Sequence, residues 1–378
     1  IHGTIADRFG RRVTLLGGVW ITSAFTLATA ILAHSFVSFI ALRVLTGLGL
    51  GALMPLGTTY INEFAPRRVT NVFTLWGVGL GWSMGGTVAG LVGIFVTPHF
   101  GWQSLYYFGS LSFILALALQ IWLPESAKFL ALHHRILEIL RVLSLLRPDR
   151  IEVYREAHLE FPAAETRTSV GLLLSDRYRR TTVTLWASSF LSLFCIFGLT
   201  GWVPTVMMQR GETFATSFGF GALMQIMSFV GGMACGALSD RRGSSRGMLA
   251  VWWVLGGISV WSLILLNTHA SNLLLIAAAG FFTIGAQFVL NNFTAASYQT
   301  NIRATGLGMQ LSVGRIGAIL GPFVAGALQQ IYHGPTAMFL AIGTASIVAG
   351  AAIASLGRAK VAPVGALEES GVLSGRAT

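Results

Sequence analysis

Ten apolar runs, each about twenty residues or longer, fill most of the chain and alternate with short polar or turn-rich breaks. They cover roughly 13–33, 36–60, 72–97, 102–123, 181–208, 218–238, 248–267, 272–293, 304–331 and 336–356. A helix that crosses a bilayer needs about 20 mostly apolar residues. So many runs of that length point to an all-α polytopic membrane protein. Composition closes off the soluble alternative. Hydrophobic residues make up 54% of the chain and charged residues 10%, with a mean hydropathy of +0.70. An ordinary soluble domain carries roughly 25% charged residues. Disorder, collagen and a disulfide-rich secreted module are excluded on the same grounds. Cys195 and Cys235 lie in apolar runs far from any CxxC spacing, so neither a disulfide nor a metal site is expected.

The distribution of basic residues sets the expected topology. Of the 25 Lys and Arg residues, 22 fall on one side of the ten runs. Three lie before the first run, two at Arg67 and Arg68, ten between Pro124 and Arg180, four at Arg241, Arg242, Arg246 and Arg303, and three in the tail. Arg210 stands alone on the other side, and Arg43 and Arg315 fall inside runs. Basic residues mark cytoplasmic loops, so both ends of the chain are expected in the cytoplasm and the protein in the plasma (inner) membrane. The net charge of +11 is scattered over five breaks, which argues against a nucleic-acid face. The long connection from Pro124 to Arg180 contains Leu130, Ile136, Leu137, Leu140 and Leu143 at helical spacing. An amphipathic helix over 129–146 is expected there, lying on the membrane surface or on the bundle.

A repeat comes next. Residues 3–12 read G-T-I-A-D-R-F-G-R-R, and residues 236–246 read G-A-L-S-D-R-R-G-S-S-R. Gly3, Asp7, Arg8 and Gly10 match Gly236, Asp240, Arg241 and Gly243. Two runs precede the second copy, but only Ile1 and His2 precede the first. Two further helices are therefore expected before Gly3. The chain would be a fragment some 60 to 80 residues short, at about 20 residues per span plus connections.

The G-x-x-x-D-R-x-G-R-R run resembles the signature loop of the major facilitator superfamily. Arg43-Val-Leu-Thr-Gly47-Leu-Gly49-Leu-Gly51 resembles that family's fourth-helix motif, and Pro124-Glu125-Ser126 fits the end of its sixth helix. Within the superfamily the chain looks most like the aromatic acid:proton symporters. This rests on Trp202-Val-Pro204, on Tyr298 with Arg303-Ala-Thr-Gly306, and on Gly314-Arg315-Ile-Gly317-Ala-Ile-Leu-Gly321-Pro322. The fifth-helix motif departs, because Gly81-Trp82-Ser83-Met84-Gly85-Gly86 has no Gly-Pro pair. The resemblance implies a two-bundle fold with ten of twelve transmembrane helices present. Residues 1–123 would be a partial N-terminal bundle, 124–180 a cytoplasmic central loop, 181–358 a six-helix bundle and 359–378 a disordered tail. It also implies a secondary transporter, moving a small organic anion such as an aromatic carboxylate by proton symport with alternating access. Carriage of another metabolite, sugar, dicarboxylate or drug on the same fold is the alternative.

Ionisable residues inside a membrane are costly and therefore candidates for function. No Asp, Glu or His lies in the middle of any run. Arg43 lies about seven residues into its run and Arg315 about eleven, at about 1.5 Å of rise per residue. Arg43 reads as a coupling residue or as a structural ion pair. Arg315 reads as a substrate or gate contact, since a guanidinium fork suits a carboxylate. Gln225, Gln287, Asn291 and Asn292 offer hydrogen bonds to a substrate, and Trp186, Trp76 and Phe288 offer flat apolar surface. Trp102, Trp122 and Trp202 read as interfacial anchors. A cytoplasmic gate is expected from Gly3, Asp7, Arg8, Gly10, Arg11, Glu63, Arg67, Gly236, Asp240, Arg241 and Arg303. Each loop Asp would approach the positive end of a helix in the opposite half.

A polytopic enzyme would need clustered carboxylates, His or Cys at one membrane face, and these are absent from the sequence. A sensor built on a carrier fold would carry a long soluble domain. No cofactor is expected. The expected partners are a small organic anion, protons and the lipid bilayer, with the protein working as a monomer.

Overall fold

The computed structural model describes residue 6 and residues 9–64, 79–133, 135–146 and 170–356. Among these residues every regular element is helical. We number the helices α1 (Arg11–Leu32), α2 (Phe36–Phe64), α3 (Leu80–Phe95), α4 (Gln103–Gly109), α5 (Ser112–Trp122), α6 (Ala127–Leu132), α7 (Ile136–Leu146), α8 (Arg179–Gln209), α9 (Phe214–Arg242), α10 (Ser245–Leu265), α11 (His269–Ala279), α12 (Gly285–Ala296), α13 (Thr300–Tyr332) and α14 (Thr336–Ser355). Helices α4 and α5 form one span, as do α11 and α12, which a short π-helical segment at Gly280–Ile284 joins. Eight spans among the described residues are long and apolar enough to cross a membrane. Two shorter apolar helices, Phe36–Gly51 and Leu80–Phe95, lie in the other two expected runs. Their outer faces are apolar, as at Phe36, which is 79% exposed, and the same holds of the long spans, as at Leu265, which is 85% exposed. Such surface belongs against lipid rather than water.

By its contacts the chain divides into two compact units: Ile1–Thr166 with Pro204–Phe229, and Arg167–Val203 with Val230–Thr378. This division cuts α8 and α9 and differs from the expected bundle boundaries. The cause lies in α3, whose Gly86, Gly90 and Gly93 take Gln225, Ala222 and Phe218 of α9 at backbone distance. The Ser83 and Ser228 hydroxyls share a hydrogen bond of 3.0 Å along the same contact.

Within the first unit, α1 and α2 meet at Gly49. A Cβ on that residue would stand 2.7 Å from the Gly18 carbonyl oxygen. Helix–helix contact in lipid relies on such small residues, because apolar burial against lipid gains little. The amphipathic segment is two helices rather than one. A turn at His133 breaks it, with the Arg135 amide bonded back to the Leu130 carbonyl at 3.0 Å. The break shifts the helical phase of α7 relative to α6. Phe129, Leu130, Ile139 and Val142 form the buried cluster, while Ile136 and Leu137 face outward.

Within the second unit, α8 and α13 cross through Gly314, Gly317 and Gly321. A Cβ on Gly317 would collide with the Phe190 carbonyl. Trp202 ties these helices together by donating Nε1–H to the Pro322 carbonyl at 2.9 Å. Trp122, 78% exposed, has the exposure an anchor requires. The connection entering α8 is also fixed. Leu173 is fully buried, its carbonyl accepts from the Thr182 hydroxyl at 2.8 Å, and Thr182 in turn accepts from Tyr298 at 3.0 Å. Burial pushes the Tyr298 phenol above its ordinary pKa, and the bond to Thr182 opposes that shift.

Candidate functional site

Polar residues inside an apolar span cost free energy unless they meet each other, and in the second unit several do. Helix α8 carries Ser188, Ser189 and Ser192, all buried. The Ser192 hydroxyl donates to Gln287 Oε1 at 2.7 Å, and Gln287 Nε2 donates to Asn291 Oδ1 at 3.2 Å. One turn earlier on α8, Ser189 Oγ accepts from Gln310 Nε2 of α13 at 2.7 Å. Two glutamines from two helices thus converge on one serine face of α8. The π-helical segment just before Gln287 supplies an extra residue, which turns the following face by about 100°. Such segments recur at functional positions.

Of the expected substrate residues, the structure brings Gln287 and Asn291 together. Asn292 is exposed beside them. Trp186 is half-buried on α8, with its indole N–H buried and unbonded among the described residues. Arg315 lies on the exposed face of α13 with Ile316 and Ile319, whereas Gln310, Gly314 and Gly317 face α8. Gln225 belongs to the first unit, where its side chain lies against Gly86. Ser189, Ser192 and Gln310 were not among the expected site residues. Their signal in the sequence is Ser188, Ser189 and Ser192 in one apolar run and an amide, Gln310, in another.

The first unit holds a second polar cluster. Glu125 Oε1 accepts the backbone N–H of Arg11 and of Arg12, both at 3.0 Å, and that of Ser126 at 2.9 Å. Two of the four open amides at the start of α1 are thereby satisfied, by a negative charge at the positive end of a helix. Gly10 makes the approach possible: its φ is +102°, and a Cβ there would collide with Glu125 Oε2. The Arg12 guanidinium reaches the Gln120 carbonyl at 2.6 Å, near the end of α5. Arg43 is exposed, with its guanidinium 5.6 Å from the centre of the Tyr106 ring.

The second copy of the repeat has a parallel geometry. Gly243 has φ +60°, Ser244 caps α10 by accepting from the Gly247 amide at 3.3 Å, and the Arg246 guanidinium donates to the Leu356 carbonyl after α14. Arg180 donates to the neighbouring Ser355 carbonyl at 2.6 Å. Asp240 and Arg241 are exposed in the last turn of α9, Gly236 is half-buried one turn earlier, and Arg303 is exposed in the first turn of α13. Gly3, Asp7, Arg8, Arg67 and Trp76 lie outside the described residues, as does the side chain of Glu63. The two thiols are free and buried, and no group of three metal-binding side chains occurs among the described residues.

Among the described residues, long apolar helices with hydrogen-bonded amides between them define a polytopic membrane protein. The Major Facilitator Superfamily model matches residues 1–322, and the chain belongs to that family. It is 34% identical to a gallate transporter of Pseudomonas putida over 366 residues, 95% of this chain and 80% of that protein. It is 33% identical to the 4-hydroxybenzoate transporter PcaK of Pseudomonas aeruginosa, over 86% of this chain and 73% of that one. Among solved structures it resembles the xylose transporter XylE of E. coli in a partially occluded inward-open conformation. The TM-score is 0.66 with 15% identity, over 92% of this chain and 81% of that one. The chain is a multi-pass membrane transporter and not an enzyme.

Proposed function

We propose that the protein carries an aromatic carboxylate across the inner membrane by proton symport with alternating access, as a monomer with both ends of the chain in the cytoplasm. The observation that carries the reading is the hydrogen-bonded Ser192–Gln287–Asn291 chain between apolar helices of the second unit. The names of the relatives supply the substrate class, since gallate and 4-hydroxybenzoate are both ring carboxylates. Arg315 binds the carboxylate through its two-pronged guanidinium. Gln287, Asn291 and Asn292 hydrogen-bond the substrate, and Trp186 offers a flat apolar surface to the ring. Arg43 belongs to the coupling machinery, and the Gly10–Arg11 and Gly236–Asp240–Arg241 corners, with Arg303, belong to the cytoplasmic gate.

Uptake of radiolabelled benzoate and 4-hydroxybenzoate into cells producing the protein tests this, with and without a protonophore. Uptake that the protonophore abolishes supports the reading. Uptake of neither compound rejects the substrate class, and uptake indifferent to the protonophore rejects proton coupling.

A further inference from the structure

The hydrogen bonds around Gln287 have a direction. Its carbonyl oxygen takes the Ser192 hydroxyl proton at 2.7 Å, so its NH2 group points to Asn291. Asn291 receives that N–H on its own carbonyl oxygen at 3.2 Å. Its remaining polar group is therefore its NH2, which only donates. Asn291 is half-buried, and its amide nitrogen meets no acceptor among the described residues. The chain thus begins at a fully enclosed serine, 1% exposed, and ends in a donor on a half-buried residue. A donor without a protein acceptor is open to a ligand oxygen, and a bound ligand that covers it without supplying one leaves it unpaired at a cost in free energy.

We infer that Asn291 is a specificity-determining residue that reads an oxygen substituent on the substrate ring, such as a phenolic hydroxyl. Ser192 acts as a positioning residue, fixing the direction of that amide through Gln287. The inference rests on the aromatic-carboxylate reading above and deepens it: Arg315 takes the carboxylate, and the donor end of the amide chain takes a second oxygen. A carbon or hydrogen at that ring position leaves the amide unpaired, so the site discriminates by what the unsubstituted analogue lacks.

The experiment is competition. Labelled benzoate uptake is measured against unlabelled benzoate, 3-hydroxybenzoate and 4-hydroxybenzoate, and each result is expressed as a ratio of inhibition constants. That ratio is independent of how much carrier reaches the membrane. The unmodified protein should favour at least one hydroxybenzoate over benzoate by about tenfold, the size expected of one hydrogen bond. In Asn291→Leu the ratio should fall to near one. Ser192→Ala should lower it in the same direction, and Ser192→Thr, which keeps the hydroxyl, should restore it. Should Asn291→Leu fail to reach the membrane, Asn291→Ser and Ser192→Ala decide the matter. An unchanged ratio in these variants, or no preference in the unmodified protein, overturns the role of Asn291 and leaves aromatic acid carriage standing. Absence of any benzoate or hydroxybenzoate uptake overturns both.

Discussion

Glu125 Oε1 receives the backbone N–H of Arg11 at 3.0 Å, across 114 positions of sequence. The same oxygen takes the amides of Arg12 and Ser126, so one carboxylate joins the start of α1 to the chain leaving α5. The glycine corner of the repeat is built around this acid.

Replacing Glu125 by Ala should cost about 1–2 kcal/mol, the range for a lost helix cap with amides left unpaired. Gly10→Ala should cost a comparable amount, because its φ of +102° strains an L-residue and the new methyl meets the same carboxylate. Thermal unfolding in detergent is the measurement. An unchanged midpoint for both variants would show that the corner contributes nothing to the fold.

Gly317→Leu should separate α8 from α13, since even a Cβ there collides with the Phe190 carbonyl. The expected result is loss of the folded fraction on size-exclusion chromatography. Ile319→Leu on the exposed face of the same helix, 72% exposed, should behave like the parent.

Arg315→Lys keeps the charge and removes the two-pronged geometry. Uptake of the aromatic acid should drop at least about tenfold, the loss of roughly 1.4 kcal/mol of binding. Surface expression should persist. Parental uptake by this variant would assign Arg315 to the structure alone.

Orientation is testable with single cysteines, because Cys195 and Cys235 are buried and should stay silent. A membrane-impermeant maleimide applied to intact cells should label Arg210→Cys. It should label Arg303→Cys only after permeabilisation. The reverse pattern would invert the topology.

Much of the architecture was legible in the sequence because the bilayer imposes one length and one composition on every span. The division of basic residues could be counted, and the duplicated glycine corner could be seen by eye. Side-chain pairing was less accessible. Gln287 and Asn291 stood out as polar residues in an apolar run, but their alignment depends on the π-helical segment at 280–284, which shifts the face by a residue. Nothing in the run marks which helix Ser192 meets, since its partner Gln287 lies 95 residues further along the chain. Trp202 sits near the end of a run, and nothing in that run shows that its indole meets a carbonyl on α13. The amphipathic segment reads as one continuous period in the sequence, and the turn at His133 resets it.

The two arginine contacts at the repeat corners bear on the order of synthesis. Arg12 bonds a carbonyl 108 residues further along the chain, and Arg246 one 110 residues further along. A corner emerging from the ribosome therefore waits while the intervening helices enter the membrane, and it closes only when the helix ending in that carbonyl arrives. For the second corner that helix is α14, so a nascent chain stopped before Ser355 would leave Arg246, and with it Arg180, without these carbonyl partners. The closing contact of each repeat thus doubles as a record that its last helix has been inserted.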